Sequence, residues 1–210
     1  MKKNRDNTIA IIVVLLFGCI LFYVGTDGFR AFTAETARVN QLMKDQPQFP
    51  DVTFEDSNAQ IYPFSKFENK YVFITFMYTT CPTVCWQLEA NMAEVYERIP
   101  EQFFEEDIVF LSISFDTETD NPATLDRYKD YFNSDGKTWR MARIPNQSEL
   151  NSLLNEFGVI VIPDEYGNFA HNSAFYLVDR QGTLIDVMDY TKPEQATNTV
   201  ISILENDKGA

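Results

Sequence analysis

The chain predicts an α/β fold, a mixed sheet flanked by helices, on three observations. Two eight-residue runs, Tyr71–Tyr78 and Ile108–Phe115, are rich in β-branched and aromatic residues, as strands buried on both faces must be. Each run is followed by a segment with apolar residues at helical spacing. A hairpin and one more helix then close the chain, so that strands and helices alternate along most of its length.

The elements follow in order. From Gly28 to about Pro50 the sequence reads as a polar stalk, partly helical. Alternation around Val52, Phe54, Ile61 and Tyr62 predicts a short hairpin within Asp51–Pro63. After the first long strand, Pro82 suits the first turn of a helix, where the N–H it lacks has no intrahelical partner. Val84, Leu88, Met92, Val95 and Ile99 form that helix's apolar stripe, and Pro100 ends it. Asn121-Pro122 starts another helix, with Leu125, Tyr128 and Phe132 facing inward. Trp139–Ile144 is a weak strand. Asn146 and Glu149 resemble a capping box for a helix carrying Leu150, Leu153, Leu154 and Phe157, closed by Gly158. Ala174–Val178 and Thr183–Met188 flank Asp179-Arg180-Gln181-Gly182 as a hairpin. Thr191 with Glu194 caps the last helix, which carries Val200, Ile201 and Leu204.

Charge excludes one class of function. The 210 residues include 17 basic and 31 acidic side chains, a formal net of −14. Without residues 1–26 the balance is 14 to 30, a net of −16, which repels phosphate backbones and argues against nucleic-acid binding. Thr8–Val24 is an uncharged apolar run of 17 residues, with Lys2, Lys3 and Arg5 before it and Asp27 after it. It is expected to be an uncleaved, single-pass membrane helix with a cytoplasmic N-terminus, placing the domain on the extracytoplasmic face of the cell membrane. A cleaved signal peptide and a lipoprotein anchored through Cys19 are the alternatives. The expected organisation is an anchor over 1–26, a stalk over 27–50 and a functional domain over 51–210.

The chemistry concentrates at Cys81-Pro82-Thr83-Val84-Cys85, directly after the first long strand, and at His171, the chain's one histidine. Cysteines at a strand-to-helix junction, in this order of elements, suit a thioredoxin-like sandwich. Thiols four residues apart on one helix share a face, and a helix N-terminus favours thiolate. Such a pair can form a disulfide or hold a soft metal. His171 precedes the strand Ala174–Val178, and in a thioredoxin-like sheet that loop approaches the cysteine helix. Two thiolates and one imidazole suit copper, as Cu(I) or Cu(II); zinc competes but usually takes a fourth ligand.

The run Thr75–Cys85 resembles the core motif of the SCO/SenC copper proteins. Leu111-Ser112-Ile113-Ser114-Phe115-Asp116 with Asp120 and Pro122, and His171 followed by Phe175–Asp179 and Gly182, resemble that family's other two segments, in the same order. The resemblance covers about Phe54 to Leu204 and implies a thioredoxin-like fold with Cys81, Cys85 and His171 as copper ligands. It also implies a role in maturing the binuclear copper centre of cytochrome c oxidase. Asp116 and Asp120 match acidic positions near the site and are expected to support it, or else to serve as a strand end and a helix cap. Trp86 departs from the family's frequent second proline. The expected partners are the copper-accepting oxidase subunit and a copper donor or thiol reductant. The rival function is a thiol–disulfide oxidoreductase acting on the oxidase subunit's cysteines through Cys81 and Cys85. A peroxiredoxin-like peroxidase is disfavoured, because no arginine lies between Lys70 and Arg98.

Overall fold

The computed structural model describes residues 2–25, 33–104 and 106–209. The chain separates into two compact units, Met1–Asp45 and Gln46–Ala210. The first unit holds α1 (Lys2–Gly25) and α2 (Ala34–Asp45). Among the described residues no helix is long and apolar enough to cross a membrane. This corrects the expected single-pass anchor, and the cell-membrane location that rested on it is withdrawn. The physical reason is length: the uncharged 17-residue run covers about 26 Å at the helical rise per residue, short of a hydrocarbon core of about 30 Å. Cys19 lies on α1 and is exposed. Residue 26 of the expected anchor and residues 27–32 of the expected stalk lie outside the described residues.

The second unit is built on a seven-stranded mixed sheet. Its strands are β1 (Thr53–Asp56), β2 (Ile61–Pro63), β3 (Tyr71–Met77), β4 (Ile108–Ser114), β5 (Trp139–Arg143), β8 (Phe175–Val178) and β9 (Leu184–Met188). They lie in the order β2-β1-β5-β4-β3-β8-β9. The three central strands, β3, β4 and β5, are parallel; β8 and β1 run antiparallel at their flanks. Every residue of β3 and β4 is buried, which accounts for their largely apolar sequences. Helices α3 (Val84–Arg98), α4 (Pro122–Lys129), α5 (Gln147–Glu156) and α6 (Pro193–Lys208) complete this thioredoxin-like sandwich. Phe73 sits at the middle, its ring 5.1 Å from Phe110 and 5.0 Å from Phe175.

Several local expectations change. Helix α3 begins at Val84, not Pro82, so Cys81 lies in the preceding turn and the two thiols do not share one helix. The Glu149 half of the capping box does not close: Asn146 accepts from Ser148 and Glu149 N–H groups, while Glu149 turns to accept from the Thr53 N–H at 2.7 Å. Thr191 does not cap α6; it bonds to Asp189, and the N-cap position is Lys192. The unit also begins earlier than residue 51, since Phe49 stacks on Phe64 at 3.7 Å and its N–H donates to Gly182.

One small hairpin has no counterpart in the sequence reading. Strands β6 (Val161–Pro163) and β7 (Phe169–His171) pair antiparallel in a separate two-stranded sheet. Its turn is built like the one between β8 and β9. Asp164 accepts from the N–H groups of Tyr166 and Asn168, as Asp179 does from Gln181 and Thr183. Gly167 and Gly182 take positive φ, +81° and +84°, in the two turns.

A buried carboxyl fastens α3 to the sheet. Glu89 is fully buried and accepts from the Thr75 hydroxyl of β3 at 2.7 Å and the Ser112 hydroxyl of β4 at 2.6 Å. Ser112 in turn accepts from the Trp139 indole N–H of β5 at 3.0 Å. Burial outweighs these donors and raises the Glu89 pKa to about 7. Because the folded value lies above the unfolded one, the stability contributed by its protonated form is complete below about 4.5 and lost as pH rises through about 7, worth ~3 kcal/mol by proton linkage. Glu89→Gln should therefore gain on the parent protein between pH 5 and pH 8. Urea unfolding at the two pH values measures this, and an unchanged difference would contradict it.

Candidate metal centre

The site forms where the C-terminal end of β3 meets the start of β8. These strands are antiparallel, with Val72 opposite Val178 and Ile74 opposite Tyr176. Carried past the paired residues, that register sets position 171 opposite position 79, two residues before Cys81. Topology thus brings the histidine to the cysteine loop across 86 residues of sequence.

The ligand atoms of Cys81, Cys85 and His171 all lie within 4.8 Å of one another, and Cys85 Sγ is 3.3 Å from His171 Nε2. Cys85 is fully buried, while Cys81 and His171 are partly exposed. The Cys85 backbone N–H donates to Cys81 Sγ at 3.3 Å, so the first sulfur takes one of the free donors at the start of α3. On the histidine, Nδ1 lies 3.1 Å from the Asn172 carbonyl oxygen. That oxygen can only accept, so Nδ1 carries the proton and Nε2 presents its lone pair to the sulfurs. Burial lowers the His171 pKa, against the Asn172 carbonyl, and favours this neutral imidazole.

The two thiols are driven apart. For Cys81, burial opposes ionisation, but the donors around its sulfur outweigh it: the Cys85 thiol, the Thr83 and Cys85 N–H groups and the Tyr78 phenol. Its pKa falls below the ordinary thiol value. Burial, reinforced by Cys81, pushes Cys85 strongly upward. The partly exposed sulfur of Cys81 is thus the more acidic of the two, and Cys85 is a buried, protonated thiol. The arrangement supplies two soft sulfurs and one borderline nitrogen, a set suited to a soft metal ion and, without metal, to thiol–disulfide exchange.

Asp116 and Asp120 stand behind the loop and outside the ligand group. Asp120 is fully buried and accepts from the Thr79 N–H at 2.9 Å, the Ser114 hydroxyl at 2.6 Å and the Thr79 hydroxyl. It fixes the turn that leads from β3 to Cys81. Asp116 accepts from the Thr119 N–H at 3.1 Å. Neither caps α4, whose N-cap is Asn121. Trp86 is half-exposed, against Phe132 and Tyr131.

Three aromatic residues enclose the histidine and escaped the sequence reading as site residues. Phe115 lies 5.0 Å and Tyr78 6.1 Å from the His171 ring, and Phe169 packs on both at 5.5 and 5.1 Å. Tyr78 and Phe115 fall inside the quoted motifs, where each reads simply as the end of a buried strand.

A family model described as SCO1/SenC matches residues 44–205. The chain belongs to the SCO1/SenC family. A Bacillus subtilis SCO1 protein homolog is 24% identical over 135 residues, 63% of this chain and 69% of the relative. Arabidopsis thaliana ScoI, solved with copper bound, superposes with a TM-score of 0.65 at 16% identity, covering 75% of this chain and 98% of that one. BsSco, a protein with a disulfide switch described as a member of the Sco family of cytochrome c oxidase assembly proteins, gives 0.65 at 21% identity over 76% and 92%. At these identities the two superpositions show a shared fold.

The split between the thiols has a chemical consequence. In the metal-free reduced protein near neutral pH, iodoacetamide should modify Cys81 before Cys85, because the thiolate is the nucleophile. Peptide mass spectrometry at limiting reagent reads the order, and faster labelling of Cys85 would refute the assignment.

Proposed function

We propose that this SCO1/SenC protein is a copper metallochaperone. It binds copper, as Cu(I) or Cu(II), through Cys81, Cys85 and His171 and delivers it to the copper-accepting subunit of cytochrome c oxidase during maturation of the binuclear copper centre. The observation that carries the reading is the convergence of two sulfurs and one lone-pair nitrogen within 4.8 Å. A copper-bound neighbour and a neighbour described by oxidase assembly support the choice of metal and acceptor.

Each ligand has a part in that role. Cys81, the more acidic and partly exposed thiol, makes first contact with incoming copper. Cys85 gives up its proton as its sulfur becomes a ligand, and His171 contributes Nε2 without losing one. Delivery runs by ligand exchange, with the accessible Cys81 the first sulfur an acceptor's donor can replace. Oxidation of the pair to a disulfide ties up both sulfurs and blocks loading.

A second reading, a thiol–disulfide oxidoreductase that reduces the acceptor's cysteines, is favoured by one observation: the opposite displacement of the two thiol pKa values. One thiol is suited to attack, the other to resolve. The two functions separate at His171. In His171→Ala, copper affinity should fall by more than ~10-fold, while disulfide exchange at Cys81 and Cys85 stays near the parent rate. Undiminished copper affinity would overturn the metallochaperone and leave the oxidoreductase.

A further inference from the structure

The histidine arrives on an arm. Strands β6 and β7 form no ladder with the seven-stranded sheet, so the end of the arm that carries His171 depends on side chains for its placement. Within the arm, Asn172 closes the base: its amide oxygen accepts from the Ile160 N–H at 2.7 Å and its amide group donates to the Gly158 carbonyl at 3.2 Å. Neither bond ties the arm to the cysteine loop.

Tyr78 makes that tie. It is the residue directly after β3, its ring is buried, and its hydroxyl engages both polar groups of one arm residue. The Phe169 N–H donates to the phenol oxygen at 3.2 Å, and the phenol O–H is directed to the Phe169 carbonyl at 3.4 Å. On the other side, the Tyr78 carbonyl accepts from the Cys81 N–H at 3.3 Å. A single residue therefore holds the loop of one ligand by its backbone and the strand of another by its side chain. Phe115 and Phe169 pack against the Tyr78 ring at 5.3 and 5.1 Å, so the ring is held independently of the hydroxyl.

We propose that the Tyr78 hydroxyl is the latch that keeps the β6–β7 arm, and with it His171 Nε2, at ligating distance from the two sulfurs. Tyr78 is a positioning residue: it gives up no atom to the metal and acts through Phe169, two residues from the histidine. The inference rests on the metal-site reading above. Opening the latch withdraws the nitrogen and leaves a two-sulfur site, the state from which an acceptor can take the metal with fewer bonds to break. The hydroxyl thus sets both the affinity and the rate of release.

The test is Tyr78→Phe, which deletes one oxygen and keeps the ring. Hydrogen exchange on the metal-free, reduced full chain should show the Phe169 amide exchanging about 5-fold faster or more, the scale of one lost hydrogen bond, with protection in β3 and β4 unchanged. Cu(I) affinity, measured against a chromophoric chelator, should weaken by about 5- to 10-fold. Copper transfer to that chelator should be faster. Unchanged Phe169 exchange would overturn the latch whatever copper does, and faster exchange with unchanged affinity and release would show that the arm's position does not govern the metal. His171→Ala in parallel keeps the two readings apart. If that variant binds copper as the parent does, the metal site itself is wrong, while the exchange at Phe169 still reports on the tie.

Discussion

The antiparallel pairing of β8 with β3 is the constraint on which the site depends. In the parallel part of the sheet, chain ends that follow strands gather at one edge, and the cysteine loop after β3 lies there. A parallel β8 would bring its own C-terminal end to that edge and carry its preceding segment to the opposite side. Reversal delivers the segment before β8, and His171 with it, to the cysteines. The 3.3 Å approach of Cys85 Sγ to His171 Nε2 is the local result of that choice of strand direction.

Around this meeting point, burial and hydrogen bonding give each ligand a different character. Asp120 braces the turn before Cys81, Glu89 pins the helix that bears Cys85, and the Asn172 carbonyl selects the tautomer of His171. Leaving Cys85 in the dry interior while Cys81 is partly exposed lowers the first thiol's pKa and raises the second's. The cost is concentrated in Glu89, a buried carboxyl supported by two hydroxyls, which leaves the free energy of the fold sensitive to pH near neutrality.

The long strands, the order of elements and the meeting of Cys81, Cys85 and His171 were legible because each rests on a strong local signal: largely apolar runs for β3 and β4, the Cys81–Cys85 motif, and one histidine beside a strand. What stayed hidden depends on contacts distant in sequence. The β6–β7 arm is short and half-exposed, without the alternation that marks a strand, though Asp164 and Gly167 spell the same turn as Asp179 and Gly182. Helix α3 starts late because Cys81 Sγ, a side chain, takes the Cys85 N–H, which in a helix starting at Pro82 would bond to the Cys81 carbonyl. Glu149 reads as half of a capping box, but the Thr53 N–H, 96 residues away, competes for its carboxylate. The membrane span failed for a simpler reason, since an uncharged run can be apolar throughout and still be too short.

X-ray absorption at the copper edge of the Cu(I)-loaded, reduced full chain tests the central claim most directly, because it counts the donor atoms. The account predicts a shell of two sulfurs and one nitrogen, with the nitrogen lost in His171→Ala. A shell of sulfur alone, or one unchanged by that substitution, would contradict it.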